Sequence, residues 1–147
     1  MELSLVSKII LYLDVGCMGV IALLLLRWQV TVLQGRPMGN PDGSVDDWHE
    51  QKILYGIALA DLLLAIPLTL AGVVLVYLGW RIGFAVMGMA SFWFLWVNAA
   101  TTLTSLRFQK PRFTLSWFFI FPFGAILGLV YILWSLAHFK EVFGWMG

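Results

Sequence analysis

Charged side chains are scarce in this 147-residue chain, where aspartate, glutamate, lysine and arginine together make up only 12% of the residues. A soluble domain carries about 25% charged residues. Since 61% of the residues are hydrophobic, a single small core could not bury so much apolar surface. The composition therefore excludes a soluble enzyme and a disordered chain. The net charge of +1 offers no basic patch for nucleic acid.

Cysteine and histidine are also scarce, with one cysteine, Cys17, and two histidines, His49 and His138. A disulfide-exchanging enzyme needs a pair of thiols. A bis-histidine haem needs both ligands at one depth, and the order of the apolar stretches puts the two histidines at opposite membrane faces. The chain also lacks the repeated Glu-x-x-His motif of a di-iron bundle and a glycine-rich phosphate loop. We therefore predict no cofactor and no metal.

Long apolar stretches dominate the sequence. A membrane-spanning helix takes about 20 mostly apolar residues, and four stretches of that length end at glycine, proline or charged residues, which commonly stop helices. They are residues 3–28, 53–78, 82–106 and 114–139. The sequence predicts an all-α polytopic integral membrane protein, with residues 1–147 forming one four-helix transmembrane bundle. An even number of spans puts both termini on the same side.

Lysine and arginine are divided unequally between the two ends of these spans. The end with the long polar loop 29–51 carries Arg27, Arg36, Lys52, Arg107, Lys110 and Arg112, and the end with the termini carries Lys8, Arg81 and Lys140. Because cytoplasmic loops carry the excess of positive residues, we expect loop 29–51 in the cytoplasm. The membrane we expect is a bacterial-type inner (plasma) membrane. The four acids and His49 of this loop do not follow the ligand spacing of a calcium loop, and they suit a helix cap better.

Asp61 lies inside the second predicted span, where an aspartate costs about 2.5–3.5 kcal/mol at the helix centre. At a rise of 1.5 Å per residue, Asp61 and Asn98 each lie about 13 Å inside the loop end of their spans. Thr101 and Thr102 lie one turn nearer the surface. Because such groups hydrogen bond between helices, we predict a contact between Asp61 and Asn98, with Arg27 approaching from the surface.

A second polar focus is predicted near the opposite end of the bundle. Asp14 lies about 9 Å and Tyr131 about 10 Å inside the end with the termini, and Ser135 shares the helix face of Tyr131. A bond from the Tyr131 hydroxyl to the Asp14 carboxylate is the expected contact. Each acid is open to two interpretations, a structural clasp or a functional group, and the clasp is the simpler one for Asp14.

Aromatic residues occur at the predicted midplane of the third span, where Phe92, Trp93 and Trp96 lie close together in the sequence. Tryptophan is normally enriched at the membrane interfaces. These residues therefore either face lipid or wall a cavity below Asp61, and such a cavity would suit a lipophilic or cationic ligand. Gly124 and Gly128 form a G-x-x-x-G motif, which packs helices closely and could join copies of the chain in a homo-oligomer.

Three functions fit these features. The first is a membrane-embedded binding or transport protein for a small lipophilic or cationic ligand, with Asp61, Asn98 and Thr102 as the polar end of the site. Proton uptake by Asp61 would then couple to binding. The second is an enzyme acting on a lipophilic substrate, with Asp61 or Asp14 as general acid–base. The third is a structural or assembly subunit of a larger membrane complex. The lipid bilayer is the expected partner in each.

Overall fold

The computed structural model describes residues 3–36, 55–109 and 113–144, and in these ranges the regular structure is helical with no strand. Four helical segments are long and apolar enough to cross a membrane, as the sequence predicts. They are Leu5–Leu33, Tyr55–Tyr77, Arg81–Arg107 and Trp117–Ala137. The predicted all-α class is therefore confirmed, whereas the side of a membrane on which the termini lie stays a prediction.

Helix α1 spans Leu5–Leu33 and is longer at its C-terminal end than the predicted first span. The side chain of Ser4 caps its first turn, since the Ser4 hydroxyl accepts a hydrogen bond from the backbone N–H of Ser7 at 3.2 Å. The helix ends at Leu33, with Gln34 as its C-cap. Gly35 comes next with a φ of 67°, a left-handed conformation that glycine adopts without strain. The extra turn keeps Gln29 inside the helix.

Helix α2 spans Tyr55–Tyr77 and widens into a π-helical turn over Asp61–Ala65, where the N–H of Ile66 bonds to the carbonyl of Asp61. Pro67 lies just after this turn and has no N–H to donate to the carbonyl four residues earlier. The hydroxyl of Thr69 donates to the carbonyl of Ala65 at 2.8 Å and so satisfies a backbone acceptor in the distorted stretch. The distortion begins at Asp61 itself.

Helix α3 spans Arg81–Thr104 and continues as a π-helical turn over Ser105–Gln109. A tight turn joins it to α2, with Gly79 at a φ of 73°. The two helices pack closely beside this turn, because a Cβ placed on Gly83 would lie 2.6 Å from the carbonyl carbon of Leu75. The second and third spans therefore form an antiparallel hairpin.

The fourth predicted span is not one continuous helix. It consists of α4, Leu115–Ile120, and α5, Pro122–Ala137, and a short α6, Phe139–Phe143, comes after them. The side chain of Thr114 caps α4 by accepting from the N–H of Trp117 at 3.1 Å. The break at Phe121 precedes Pro122, and proline commonly interrupts a helix by removing a backbone donor and crowding the previous turn.

The long helices form an antiparallel bundle in which α1 packs on α2 and α5, and α3 packs on the same two helices. A hydrogen bond between the Ser7 and His138 side chains joins the start of α1 to the end of α5. The core is made of apolar side chains from all four, namely Leu11, Val15, Met18, Val76, Phe84, Met87, Phe94, Leu127, Tyr131 and Trp134. Large apolar side chains also cover the outside of the bundle, as they do in a protein surrounded by acyl chains.

The Gly124 and Gly128 motif lies at the contact between α3 and α5. A Cβ on Gly128 would lie 2.5 Å from the carbonyl oxygen of Ser91, and one on Gly124 would lie 2.5 Å from the amide nitrogen of Asn98. Both glycines are buried and pack within the chain. A homo-oligomer stays a prediction, but it would need a surface other than this one.

Candidate functional site

Asp61 is 5% exposed, and its partner is not the predicted one. Its Oδ2 atom accepts a hydrogen bond from the side-chain amide of Gln29 at 2.6 Å. The prediction of a bond to Asn98 compared depths along the second and third spans alone, and it left out Gln29, one residue past the predicted first span. Because α1 runs to Leu33, Gln29 reaches the depth of Asp61, and the amide that satisfies the carboxylate comes from α1 rather than from α3.

The other polar residues of the predicted Asp61 site bond within their own helix. The Asn98 amide donates to the carbonyl of Phe94 at 2.8 Å, the Thr101 hydroxyl to that of Val97 at 2.7 Å, and the Thr102 hydroxyl to that of Asn98 at 2.6 Å. Each acceptor lies four residues before its donor, a common way for such side chains to be satisfied inside a helix. These residues and Asp61 do not form one hydrogen-bonded cluster.

The aromatic residues of the third span do not enclose a cavity beneath Asp61. Phe92 and Trp96 are each 64% exposed, while Trp93 is half-buried and packs edge-on against Phe94, with ring centroids 5.0 Å apart. Arg27 is exposed. A groove lies between α3 and α5, and Phe92 is the only side chain predicted around Asp61 that lines it.

The second polar focus is assembled, although its hydrogen bonds differ from the prediction. Tyr131 is buried, and its hydroxyl donates to the backbone carbonyl of Phe84 at 2.9 Å instead of to Asp14. Tyr131 lies one turn after Gly128 on α5. Because α3 and α5 are in close contact at Gly128, the Tyr131 side chain reaches the backbone of α3. Asp14 nevertheless lies close enough to Tyr131 for the two to interact electrostatically.

Two polar atoms of this focus lack hydrogen-bond partners. Asp14 is 7% exposed, and neither its Oδ2 atom nor the buried hydroxyl of Ser135 makes a hydrogen bond. A buried polar group left without a partner costs about 1–3 kcal/mol. The protein therefore retains two unsatisfied groups in one half of the bundle, whereas Asp61 in the other half is satisfied.

A groove of about 580 Å³ lies beside this focus, open along one side of the bundle between α3 and the α5–α6 segment. Most of its lining is apolar and aromatic. The lining includes Phe84, Met89, Phe92, Tyr131, Ser135 and Phe139. Tyr131 and Ser135 give the wall its hydroxyl-bearing side chains, and Asp14 is not part of the wall.

A hydrogen-bond network at the end of the bundle was not predicted from the sequence. The hydroxyl of Ser7 and Nε2 of His138 are 2.9 Å apart, and Nδ1 of His138 is 2.9 Å from the carbonyl of Trp134. The indole N–H of Trp134 donates to the Ser7 hydroxyl at 2.8 Å and to its carbonyl at 3.1 Å. The only sequence signal was spacing, since Ser7 lies two turns before Asp14 on one face of α1.

The described part of the chain holds no group of three or more histidine, cysteine, aspartate or glutamate side chains that could bind a metal ion. His49 and the four acids of the predicted loop lie outside the described residues. Comparison with family models, curated proteins and solved structures finds no match to this chain.

Proposed function

We propose that this chain is an integral membrane protein that binds or transports a small lipophilic cation, with Asp14 as the charged group of the site. The sequence favoured Asp61 for this role. The hydrogen bond from Gln29 instead supports a structural role for Asp61, as a clasp between α1 and α2. The observation that carries the proposal is the pair of buried, unpartnered atoms, Asp14 Oδ2 and Ser135 Oγ.

A ligand with a protonated amine would supply what these atoms lack. An ammonium group donates up to three hydrogen bonds and carries a charge opposite to that of a carboxylate. Intramembrane acids commonly mark substrate or ion pathways because an idle one is selected against by its cost. Tyr131 lines the groove whereas Asp14 does not, so we propose that the Tyr131 ring moves away from the Phe84 carbonyl when the ligand binds.

The groove accounts for the apolar part of such a ligand. Its wall is formed largely by aromatic and sulfur-containing side chains such as Phe92, Met89 and Phe139. Aromatic faces attract cations as well as apolar groups. Because the groove opens along the side of the bundle, a lipophilic molecule would reach it from the acyl-chain region rather than from water.

The test compares two compact probes that differ in one group, adamantylamine and adamantanol, binding to the full-length protein in lipid nanodiscs. Asp14→Asn should weaken binding of the amine about 10- to 100-fold, since a charge-assisted hydrogen bond contributes about 1.5–3 kcal/mol. The same change should leave adamantanol binding within about twofold, because the alcohol carries no charge. Isothermal titration calorimetry measures both affinities.

Asp61→Asn is the matched control, because it removes the same charge from the other half of the bundle. We expect it to leave the affinity for adamantylamine unchanged. Equal amine affinity in the wild type and Asp14→Asn would contradict the proposal. If Asp61→Asn lowers the affinity for adamantylamine and Asp14→Asn does not, the binding site lies at Asp61 instead.

A further inference from the structure

We propose that His138 and Ser7 form the path by which Asp14 exchanges protons with water, at the end of the bundle where α1 begins and α5 ends. This inference rests on the proposed function, because it concerns the carboxyl group assigned there to ligand binding. It adds the direction from which that carboxyl is reached. The hydrogen-bond network of Ser7, Trp134 and His138 is its starting point.

The network determines which atoms carry hydrogens when the imidazole is neutral. The Trp134 carbonyl can only accept, so Nδ1 of His138, at 2.9 Å, carries the hydrogen. Nε2 is then an acceptor, and the Ser7 hydroxyl donates to it across 2.9 Å. The Trp134 indole N–H can only donate, and it donates to the Ser7 oxygen at 2.8 Å. Every group in the network is satisfied in this one arrangement.

His138 is suited to exchange a proton with water. It is half-buried and lies directly after Ala137, the last residue of the fourth apolar span. Its ring stacks on that of Trp134, with centroids 4.7 Å apart. The Trp134 contacts hold the imidazole with Nε2 directed at Ser7.

Ser135 precedes His138 by one turn of α5 and lies one turn after Tyr131, so its depth in the bundle is intermediate between theirs. Ser7 and Asp14 lie about 10 Å apart along α1, and the hydroxyl of Ser135, which has no hydrogen-bond partner, lies at a depth within this interval. The path we propose uses bridging waters to connect the three side chains.

The other face of the bundle offers no comparable route among the described residues. Gln29, which bonds to Asp61, lies fifteen residues beyond Asp14 on α1, a distance of about 22 Å. Buried Met18 and Ala22 lie along the intervening face of the helix. The hydroxyl of Ser91 in this stretch is directed at the sulfur of Met18, at 3.8 Å. Asp14 is therefore closer to His138 than to the opposite surface.

One inward step moves a proton from the water outside the bundle through His138 and Ser7 to Asp14. The Ser7 hydroxyl rotates away, and Nε2 of His138 takes a proton from hydronium, releasing water and giving an imidazolium. Nε2–H then passes its proton to Ser7 Oγ while the original Ser7 hydrogen passes through a water to Ser135 Oγ, and Ser135 gives its own hydrogen through a second water to Asp14. The imidazole is neutral again, Ser7 keeps one hydrogen, and the Asp14 carboxylate has gained one proton.

Other charged groups surround this path. Lys8 is next to Ser7 on α1 and is half-buried, while Arg81 of α3 and Lys140 and Glu141 of α6 are exposed. On the inner side, Tyr131 of α5 lies near Asp14. Three of these four charged side chains are exposed to solvent, and the path we propose runs through the hydroxyls of Ser7 and Ser135 once the proton leaves His138.

The experiment measures how fast Asp14 takes up a proton after a drop in pH, by time-resolved infrared spectroscopy of the full-length protein in nanodiscs. The carboxyl band that Asp14→Asn abolishes identifies the group. We expect His138→Gln and Ser7→Ala each to slow its rise about a hundredfold, the lower end of what a positioned proton-transfer group contributes. The final amplitude should not change. Ser7→Thr keeps a hydroxyl and should restore the rate.

Ser91→Ala is the matched control, since it removes a buried hydroxyl from the other side of Asp14, and it should leave the rate unchanged. Unchanged rates in both His138→Gln and Ser7→Ala would overturn the inference, as would an Asp14 band that does not respond to pH. Adamantylamine affinity is measured separately. A protein that shows the slowed rates but does not bind the amine would retain the proton path and lose the proposed function.

Discussion

At the scale of single residues, the two buried aspartates differ in whether the carboxylate accepts a hydrogen bond. Asp61 and Asp14 are both buried. Asp61 accepts a 2.6 Å hydrogen bond from Gln29, whereas Oδ2 of Asp14 accepts none. A buried carboxylate that accepts a hydrogen bond from another helix holds the two helices together. Breaking that bond would leave the carboxylate buried without a partner, which lowers the free energy of unfolding. An unsatisfied one is available to a ligand or a proton.

The clasp between α1 and α2 can be tested by removing its donor. Gln29→Ala leaves the Asp61 carboxylate buried without a partner, and we expect a loss of about 1–3 kcal/mol in the free energy of unfolding. Chemical denaturation in detergent, followed by circular dichroism, measures it. Gln34→Ala, at an exposed position just past the end of α1, should change stability little. Equal stability of wild type and Gln29→Ala would mean that Asp61 does not depend on this amide.

At the scale of helices, close approach of backbones determines which side chains meet. The glycine contact between α3 and α5 is one such approach, and it gives Tyr131 the Phe84 carbonyl as its acceptor. The π-helical turn at Asp61–Ala65 is another local feature that changes which way the side chains of a helix face. A turn of this kind adds a residue to the helix and rotates the residues before it relative to those after it, and such turns frequently occur at functional sites.

The contact between α3 and α5 leads to a prediction about Gly128. The Cβ introduced by Gly128→Ala would lie 2.5 Å from the Ser91 carbonyl oxygen and 2.6 Å from the Leu95 nitrogen. Backbone atoms cannot move aside as a flexible side chain does, so the helices must separate. We expect a loss of about 1–3 kcal/mol of stability, as for other overpacked sites, measured by the midpoint of denaturation.

Gly88→Ala, on the facing helix α3, is the control for this prediction. A Cβ at Gly88 would meet no atom within 4 Å, and alanine favours a helix over glycine by about 0.5–1 kcal/mol. The control should be neutral or slightly stabilising. If both substitutions have the same effect, the loss at Gly128 does not come from the helix contact.

At the scale of the whole molecule, the four apolar helices and the apolar outer surface of the bundle define the environment in which the site works. Large exposed apolar areas are unusual on a protein in water. The Ser7–His138 bond brings the start of α1 and the end of α5 together. This arrangement supports a topology with both termini on one side, and the distribution of lysine and arginine predicts that side to be the outer one.

Topology can be tested by cysteine labelling in a Cys17→Ser background. We expect Gly147→Cys to react with a membrane-impermeant maleimide in intact cells, and Ser44→Cys to react only after the cells are permeabilised, because the loop around Ser44 is predicted to be cytoplasmic. The reverse pattern would invert the orientation. Labelling of both from outside would contradict the odd number of spans predicted between these two positions.

The succession of spans was predictable from the sequence, but the partners within the site were not. The segments predicted at 3–28, 53–78 and 82–106 correspond to α1, α2 and α3, and the fourth is interrupted at Phe121. Counting residues placed Asp14 and Tyr131 at a similar depth, but the Tyr131 hydroxyl donates to the Phe84 carbonyl instead of to Asp14. The predicted Asp61–Asn98 bond was wrong because equal depth does not determine which side chains face each other, and the Asn98 amide bonds within its own helix.

The sequence alone determined the number, length and apolar character of the helices, because these depend on runs of about 20 residues and on the need of each backbone to satisfy its own hydrogen bonds in lipid. Only the tertiary structure decided which polar atoms meet. The packing of α1 against α2 brought Gln29 to Asp61, while among the described residues Asp14 Oδ2 and Ser135 Oγ have no hydrogen-bond partner. Which faces of separate helices meet depends on residues far apart in the chain, so it cannot be read from a short stretch of sequence.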